Sequence, residues 1–247
     1  VGEERMRVLI ACEESQTVCK AMRKLGHEAF SCDIQGCSGG HPEWHIKGDV
    51  LRVLNPGTFR LENGDILNVL GWDLMIAHPP CTHLAVSGAR WFTEGKKPWS
   101  LQEEALDFVR KLLNAPIEKI ALENPVSVIS TKIRKPDQII QPYEYGYPYS
   151  KKTCLWLKNL PKLIPTKIVD KGESIIYKSG RAMPKWYADM WKLPKEERAK
   201  LRSKTYPGIA EAMAKQWTNK EVAGCNADYH NGIPPKTKVL GILPKIL

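Results

Sequence analysis

The stretch Trp72-Asp73-Leu74-Met75-Ile76-Ala77-His78-Pro79-Pro80-Cys81 organises the reading of the whole chain. Residues 72–77 form a short, mostly apolar run of the kind that builds a buried strand. Two prolines follow at once. Proline has no N–H for a ladder and fixes φ, so the strand must end there. A rigid turn at the carboxyl end of a strand is where open α/β sheets hold their ligands. Cys81 stands on that turn with Thr82 and His83 beside it. Its thiol is placed to be a nucleophile. A small buried hydrophobe is the alternative, because most free cysteines are packed and inert.

Upstream, residues 7–11 predict a short strand, and Cys12-Glu13-Glu14-Ser15 a turn. Ser15 is a candidate cap for a helix with Val18, Met22 and Leu25 at helical spacing and Gly26 as its stop. Residues 28–32 predict a second strand ending at Asp33. This β-α-β unit opens a nucleotide-binding α/β sheet, in which an acid at the end of the second strand often bonds ribose hydroxyls. Asp33 has that place, and Gly48-Asp49-Val50 brings another acid to the rim. In between, Cys32, Cys37, His41 and His45 could be read as a zinc site, but the first spacing is wide, and Gly36, Gly39, Gly40 and Pro42 read as a plain loop.

Downstream, residues 82–99 carry Arg90, Trp91, Phe92, Lys96 and Lys97, and predict a mobile lid over a planar or anionic substrate, or else a long surface loop. Ser100 and Glu103 predict a capping box, opening a helix whose apolar face is Leu101, Ala105, Phe108, Leu112 and Leu113. Residues 119–122 predict a strand that ends in Glu123-Asn124-Pro125, a second turn stopped by proline and now bearing a carboxylate. Neighbouring strands of a parallel sheet end on one rim, so Glu123 and Cys81 are expected to face one pocket. Residues 138–141 and 153–157 predict further strands, 209–217 an amphipathic helix and 224–247 a tail.

The chain has 247 residues, enough for one large domain with an appendage. No apolar run approaches the ~18–20 residues of a membrane span. The polar start Val1-Gly2-Glu3-Glu4-Arg5 has no signal-peptide pattern, and Met6 is a candidate natural first residue. Seven scattered cysteines fit a reducing cytoplasm. The net charge of +10 is local: residues 151–204 hold fifteen Lys/Arg against five Asp/Glu, and the remainder holds 22 of each sign. Trp156, Tyr177, Trp186, Tyr187 and Trp191 are interleaved there. Such a segment suits a nucleic-acid contact, with a solvated lysine-rich face as the alternative. The expected division is a catalytic domain at 1–150, a small basic subdomain at 151–205, and a returning helix with a tail at 206–247.

On these residues the chain resembles the cytosine carbon-5 DNA methyltransferases, especially the short forms typical of bacteriophages. Pro79-Pro80-Cys81 matches the family's Pro-Cys nucleophile motif, and Glu123-Asn124-Pro125 its Glu-Asn-Val motif. The resemblance implies a Rossmann-like S-adenosylmethionine-dependent methyltransferase sheet with a small basic subdomain. It implies Cys81 and Glu123 as catalytic residues. Ala11, Cys12, Glu13, Ser15, Gln16, Asp33, Asp49, His78 and Pro79 would bind S-adenosylmethionine. Pro80, Arg90, Asn124, Lys151, Lys152 and Thr153 would bind the target. Gly146-Tyr147-Pro148 with Lys151 matches the start of a later base-contacting motif, and Pro207-Gly208-Ile209 a degraded last motif. Two departures stand out. The first loop, Cys12-Glu13-Glu14-Ser15-Gln16, is not glycine-rich; its acids repel phosphate and suit a cationic amino group. Lys151 and Thr153 replace the arginines of the base-contacting motif.

The implied chemistry is attack of the Cys81 thiolate on carbon 6 of cytosine, which makes carbon 5 nucleophilic. A cation must favour the thiolate: the cofactor's sulfonium, Arg90 or His83. Glu123 would protonate ring nitrogen 3, for which a carboxyl with a raised pKa is expected. The expected partner is DNA, duplex or single-stranded, with the chain a monomer in a bacterial or phage-infected cytoplasm and no membrane contact or metal. Three rivals stay open: an amino-methyltransferase, a non-catalytic DNA-binding relative, and the same chemistry on a nucleotide, RNA or modified cytosine.

Overall fold

The computed structural model describes residues 5–218, apart from 179, 181, 195–196, 199–202 and 204. The chain opens with β1 (Arg7–Ala11), α1 (Thr17–Lys24), β2 (Glu28–Asp33) and β3 (His45–Lys47). A hairpin of β4 (Gly57–Arg60) and β5 (Ile66–Val69) leads to β6 (Leu74–Ala77), α2 (Arg90–Thr93), α3 (Ser100–Leu113) and β7 (Lys119–Pro125). Then come α4 (Ile129–Lys132), β8 (Gln138–Ile140), β9 (Thr153–Lys158), β10 (Ser174–Ile176), β11 (Ala182–Pro184), α5 (Lys185–Met190) and α6 (Pro207–Thr218).

Seven strands form one sheet in the order β3-β2-β1-β6-β7-β9-β8, and only β9 runs against its neighbours. Both faces are covered, which is why the central strands are apolar without alternation. Leu9, Met75 and Ile120 pack with Leu106, Val109 and Leu112 of α3 on one face. Val8, Ile10 and Ile76 pack with Met22 of α1 and Ile209, Met213 and Trp217 of α6 on the other. The order reverses between β1 and β6, the place where such sheets open a crevice at their carboxyl ends.

Several local expectations are corrected. Ser15 does not cap α1; its hydroxyl lies 3.2 Å from Thr17 Oγ1. Gln16 turns left-handed (φ 57°), and this swings Glu13 over the helix end, where its carboxylate accepts from the N–H groups of Val18 (2.7 Å) and Cys19 (3.2 Å). Ser100 caps nothing, because Trp99 before it is already helical. The centre of the α3 stripe is Gln102, Leu106, Val109 and Leu112, one position on from Leu101, Ala105 and Phe108, which flank it half-buried. A ~100° stripe spans both rows, and the position of its centre depends on what it packs against.

β7 does not stop at Leu122. It runs on through Pro125 because β9 continues as its partner, with Glu123 opposite Leu155 and Pro125 opposite Thr153. Glu123 therefore sits within a strand, not on a turn. Residues 153–158 belong to the sheet and not to an appendage. Trp156 is fully buried, with its Nε1 donating to Arg134 O (2.8 Å), so it is no surface aromatic. The part that stands apart is the β10–β11 hairpin with α5. The helix expected at 209–217 is present as α6; the tail at 224–247 lies outside the described residues. At its start Gly208 is required: a Cβ there would overlap the Tyr145 carbonyl.

Candidate active site

The parallel register of β6 and β7 pairs Ala77 with Leu122, so the next residues, His78 and Glu123, emerge side by side at the rim. His78 Nδ1 donates to Glu123 Oε2 at 3.0 Å, and the two side chains are only 11% and 16% exposed. Burial alone would push the Glu123 carboxyl up, but the hydrogen bond and charge of His78, joined by Lys151, hold it below the usual carboxylate value. Burial pulls His78 down, and Glu123, then Glu13, lift it above its ordinary value while Lys151 opposes. The raised carboxyl pKa expected from the sequence is corrected in direction: Glu123 is held low and His78 high, which favours the proton on His78.

His78 Nδ1 is bonded to Glu123, and its Nε2 is buried without a protein hydrogen-bond partner. Asn124, assigned to the target, is 1% exposed, and its Nδ2 donates to Pro79 O at 2.9 Å. It straps the Pro79-Pro80-Cys81 turn to β7. Pro79 is buried and Pro80 exposed. Cys81 is half-buried, and its carbonyl accepts from the N–H groups of Leu84 (3.0 Å) and Ala85 (2.9 Å), closing the turn. The segment that follows is pinned to the stretch between β7 and α4: Val86 N–H donates to Val126 O and Val128 N–H to Leu84 O.

The segment 82–99, expected as a mobile lid or a long surface loop, is partly helical. It contains α2, and Phe92 is buried and stacked on Trp99 at 5.2 Å. Arg90 is exposed on α2 with its guanidinium over the Trp91 ring. His83 is held below its ordinary value by burial and by Lys97, whose Nζ is 3.5 Å away, so it is not the cation proposed for the thiolate.

A cleft beside Glu123 is lined by Lys151, Thr153, Tyr206, Ile209 and Met213. The Lys151 ammonium lies 5.8 Å from the Tyr206 ring centroid. Thr153 is buried, and Lys152 points outward, exposed. The sequence did not single out Tyr206 or Met213; both lie far along the chain and arrive through α6.

On the other side of the crevice, Ala11 is fully buried and ends β1. Cys12 follows in a left-handed conformation (φ 60°), and burial together with Asp33, Cys32 and Asp49 pushes its thiol up, so it is inert. Asp33 and Asp49 are thus gathered near Cys12. Their carboxylates accept from Gln35 N–H (2.9 Å) and Leu51 N–H (3.0 Å). Glu13, Ser15 and Gln16 are differently employed. Glu13 caps α1. Gln16 is fully buried; its amide donates to His41 O (2.8 Å) and accepts from His41 N–H (3.1 Å), pinning the loop over β2 and β3. In that loop His45 is bonded through both nitrogens, to Ser31 Oγ and Gln35 O, while His41 pairs with Glu43. Among the described residues no group of three or more His, Cys, Asp and Glu is gathered to hold a metal.

Compared with known proteins, the chain matches no family model and no curated protein sequence.

Proposed function

We propose that the chain is an S-adenosylmethionine-dependent methyltransferase acting on carbon 5 of cytosine in DNA. The observation that carries this reading is the strap between two strand ends. A cysteine on a Pro-Pro turn at the end of β6 is tied through Asn124 to the strand that presents Glu123, largely covered and with its carboxyl held low by His78. A thiol and a carboxylate fixed on one rim are what addition to a pyrimidine ring needs: an attacking sulfur and a group that handles the charge arriving on the ring. The mostly parallel seven-stranded sheet, with its order reversing between β1 and β6, is compatible with the Rossmann-like sheet that the resemblance implies and does not fix the substrate.

The donor set fits S-adenosylmethionine. Asp33 and Asp49, at the ends of β2 and β3, would take ribose hydroxyls and the adenine side, and the crevice lacks a glycine-rich phosphate cradle. Glu13 and Gln16 would serve it only by shaping the loop. When bound, the cofactor supplies an electrophilic methyl carbon. The chain's own residues do the rest. Cys81 Sγ forms a bond to carbon 6, and the displaced π pair moves toward nitrogen 3. Glu123 meets the exocyclic amine and nitrogen 3, where a proton must arrive. Lys151 and Thr153 lie where the target base would enter, and the basic residues after β9 suit the phosphate backbone. A base held in a duplex must leave its stack to reach this rim.

The test is duplex DNA containing 5-fluorocytosine, incubated with the protein and S-adenosylmethionine. Fluorine cannot leave as a proton does, so the expected result is a denaturation-resistant adduct that maps to Cys81 and carries the added methyl. Cys81→Ser should form none while still binding cofactor. Cofactor binding without an adduct in the unsubstituted protein would overturn the carbon-5 reading.

A further inference from the structure

We propose that His78 is the proton reservoir of the site: it and Glu123 hold one proton between them, which is lent to ring nitrogen 3 of the target base and then returned. This rests on the methyltransferase reading for its substrate, but the pair itself does not.

Geometry carries the argument. His78 stands one residue beyond β6 at the height of Glu123, and its Nδ1 is 3.0 Å from Oε2. Three charged groups from three different segments act on its ring: Glu13 from the first loop, Glu123 from β7 and Lys151 from before β9. Two carboxylates against one ammonium favour the imidazolium. Its Nε2 is buried with no protein hydrogen-bond partner, so among the described residues Glu123 is the ring's hydrogen-bond partner. A histidine placed merely to fill space would not leave one nitrogen unsatisfied and spend the other on the catalytic carboxylate.

The proton inventory then closes. At rest Nδ1 carries the proton and Glu123 is a carboxylate. When Cys81 Sγ bonds to carbon 6, the carbon 5–carbon 6 π pair shifts to carbons 4 and 5, and the carbon 4–nitrogen 3 pair moves onto nitrogen 3. Nitrogen 3 takes a proton through Glu123, and His78 becomes neutral. Once carbon 5 has made its new bond, nitrogen 3 returns the proton through Glu123 to Nδ1. The carbon 5 proton is then lost to water, the carbon 5–carbon 6 double bond re-forms and sulfur leaves as thiolate. A carboxylate held low cannot keep such a proton alone at neutral pH; an imidazole tuned upward can. His78 acts through Glu123 and is therefore a positioning residue.

Two measurements test this. The first is an NMR titration of nitrogen-15-labelled histidines in the full chain. His78 should titrate above 6.5 and fall by at least about one pH unit, to below 6.5, in Glu123→Gln, where burial is left less opposed. A His78 that titrates below 6.5 in the unsubstituted protein, or that does not move in Glu123→Gln, overturns the pair. The second is the pH profile of adduct formation on 5-fluorocytosine duplex. In His78→Gln the alkaline limb should shift down by at least about one unit and the neutral-pH rate fall about 10²-fold. An unchanged limb and rate overturn the reservoir. If the unsubstituted protein forms no adduct, the functional reading fails and the NMR titration alone decides the pair. The same titration decides it if His78→Gln does not fold.

Discussion

Glu13 and Glu123 flank one imidazole. Both are buried, both feel the charge of His78, and they titrate in opposite directions. Glu13 bonds two backbone N–H groups of α1 and is still raised, because full burial outweighs those bonds and the more distant histidine. Glu123 has a cationic hydrogen-bond partner in direct contact and is lowered. The lesson is that burial does not assign a role. A carboxylate committed to a helix end is part of the fold. A carboxylate hydrogen-bonded to another titratable side chain is equipped to exchange protons.

The comparison can be broken most directly by rate. Glu123→Gln should slow adduct formation by about 10²–10⁴-fold, since an amide cannot carry the proton. The change at the other carboxylate, Glu13→Ala, should leave the rate within about threefold and instead cost about 1 kcal/mol of stability in a denaturant titration, the usual size of a lost cap. Equal losses of rate from the two changes would mean that Glu13 also touches the reacting groups.

The smallest effect sharpens the contrast by pH. Glu123 lies below its ordinary 4.5 and His78 above its ordinary 6.5. A lowered acid stabilises fully above its unfolded value, and a raised base fully below its own. Their joint contribution is therefore full between pH 4.5 and 6.5. It is lost as pH falls through the Glu123 value and as it rises through that of His78. The difference in Tm between the unsubstituted protein and Glu123→Gln should peak in that window, at a few degrees, and shrink on both sides. A difference that kept growing to pH 9 would refute the pairing as the source.

Much of the sheet was legible because a strand covered on both faces has to be apolar, and prolines and glycines mark its ends. The runs at 7–11 and 72–77 and the Asp33 terminus are such cases. The Pro-Pro-Cys turn and Glu123 were legible for the same reason. What stayed hidden depended on partners distant in the chain. Nothing near Pro125 announces that β9 will carry β7 past it. Gln16 and Asn124 look like ligand-binding amides, and only the fold reveals His41 and Pro79 as their partners. His78 was read with its neighbours in sequence, although its neighbour in space is set by the β6–β7 register. The register was the available signal, since a histidine one step beyond Ala77 must face a residue one step beyond Leu122.

The anchoring of α6 has a consequence for how the molecule changes over time. Val169 N–H donates to Tyr143 O, and the Tyr206 ring lies 5.2 Å from that of Tyr147 and 5.8 Å from that of Tyr149. The segment between 170 and 205 therefore leaves and rejoins the body at neighbouring points of one loop. A length of chain hung in this way is a cassette. Recombination can exchange it for a shorter, longer or differently charged insert while the rim that holds Cys81 and Glu123 is left as it is.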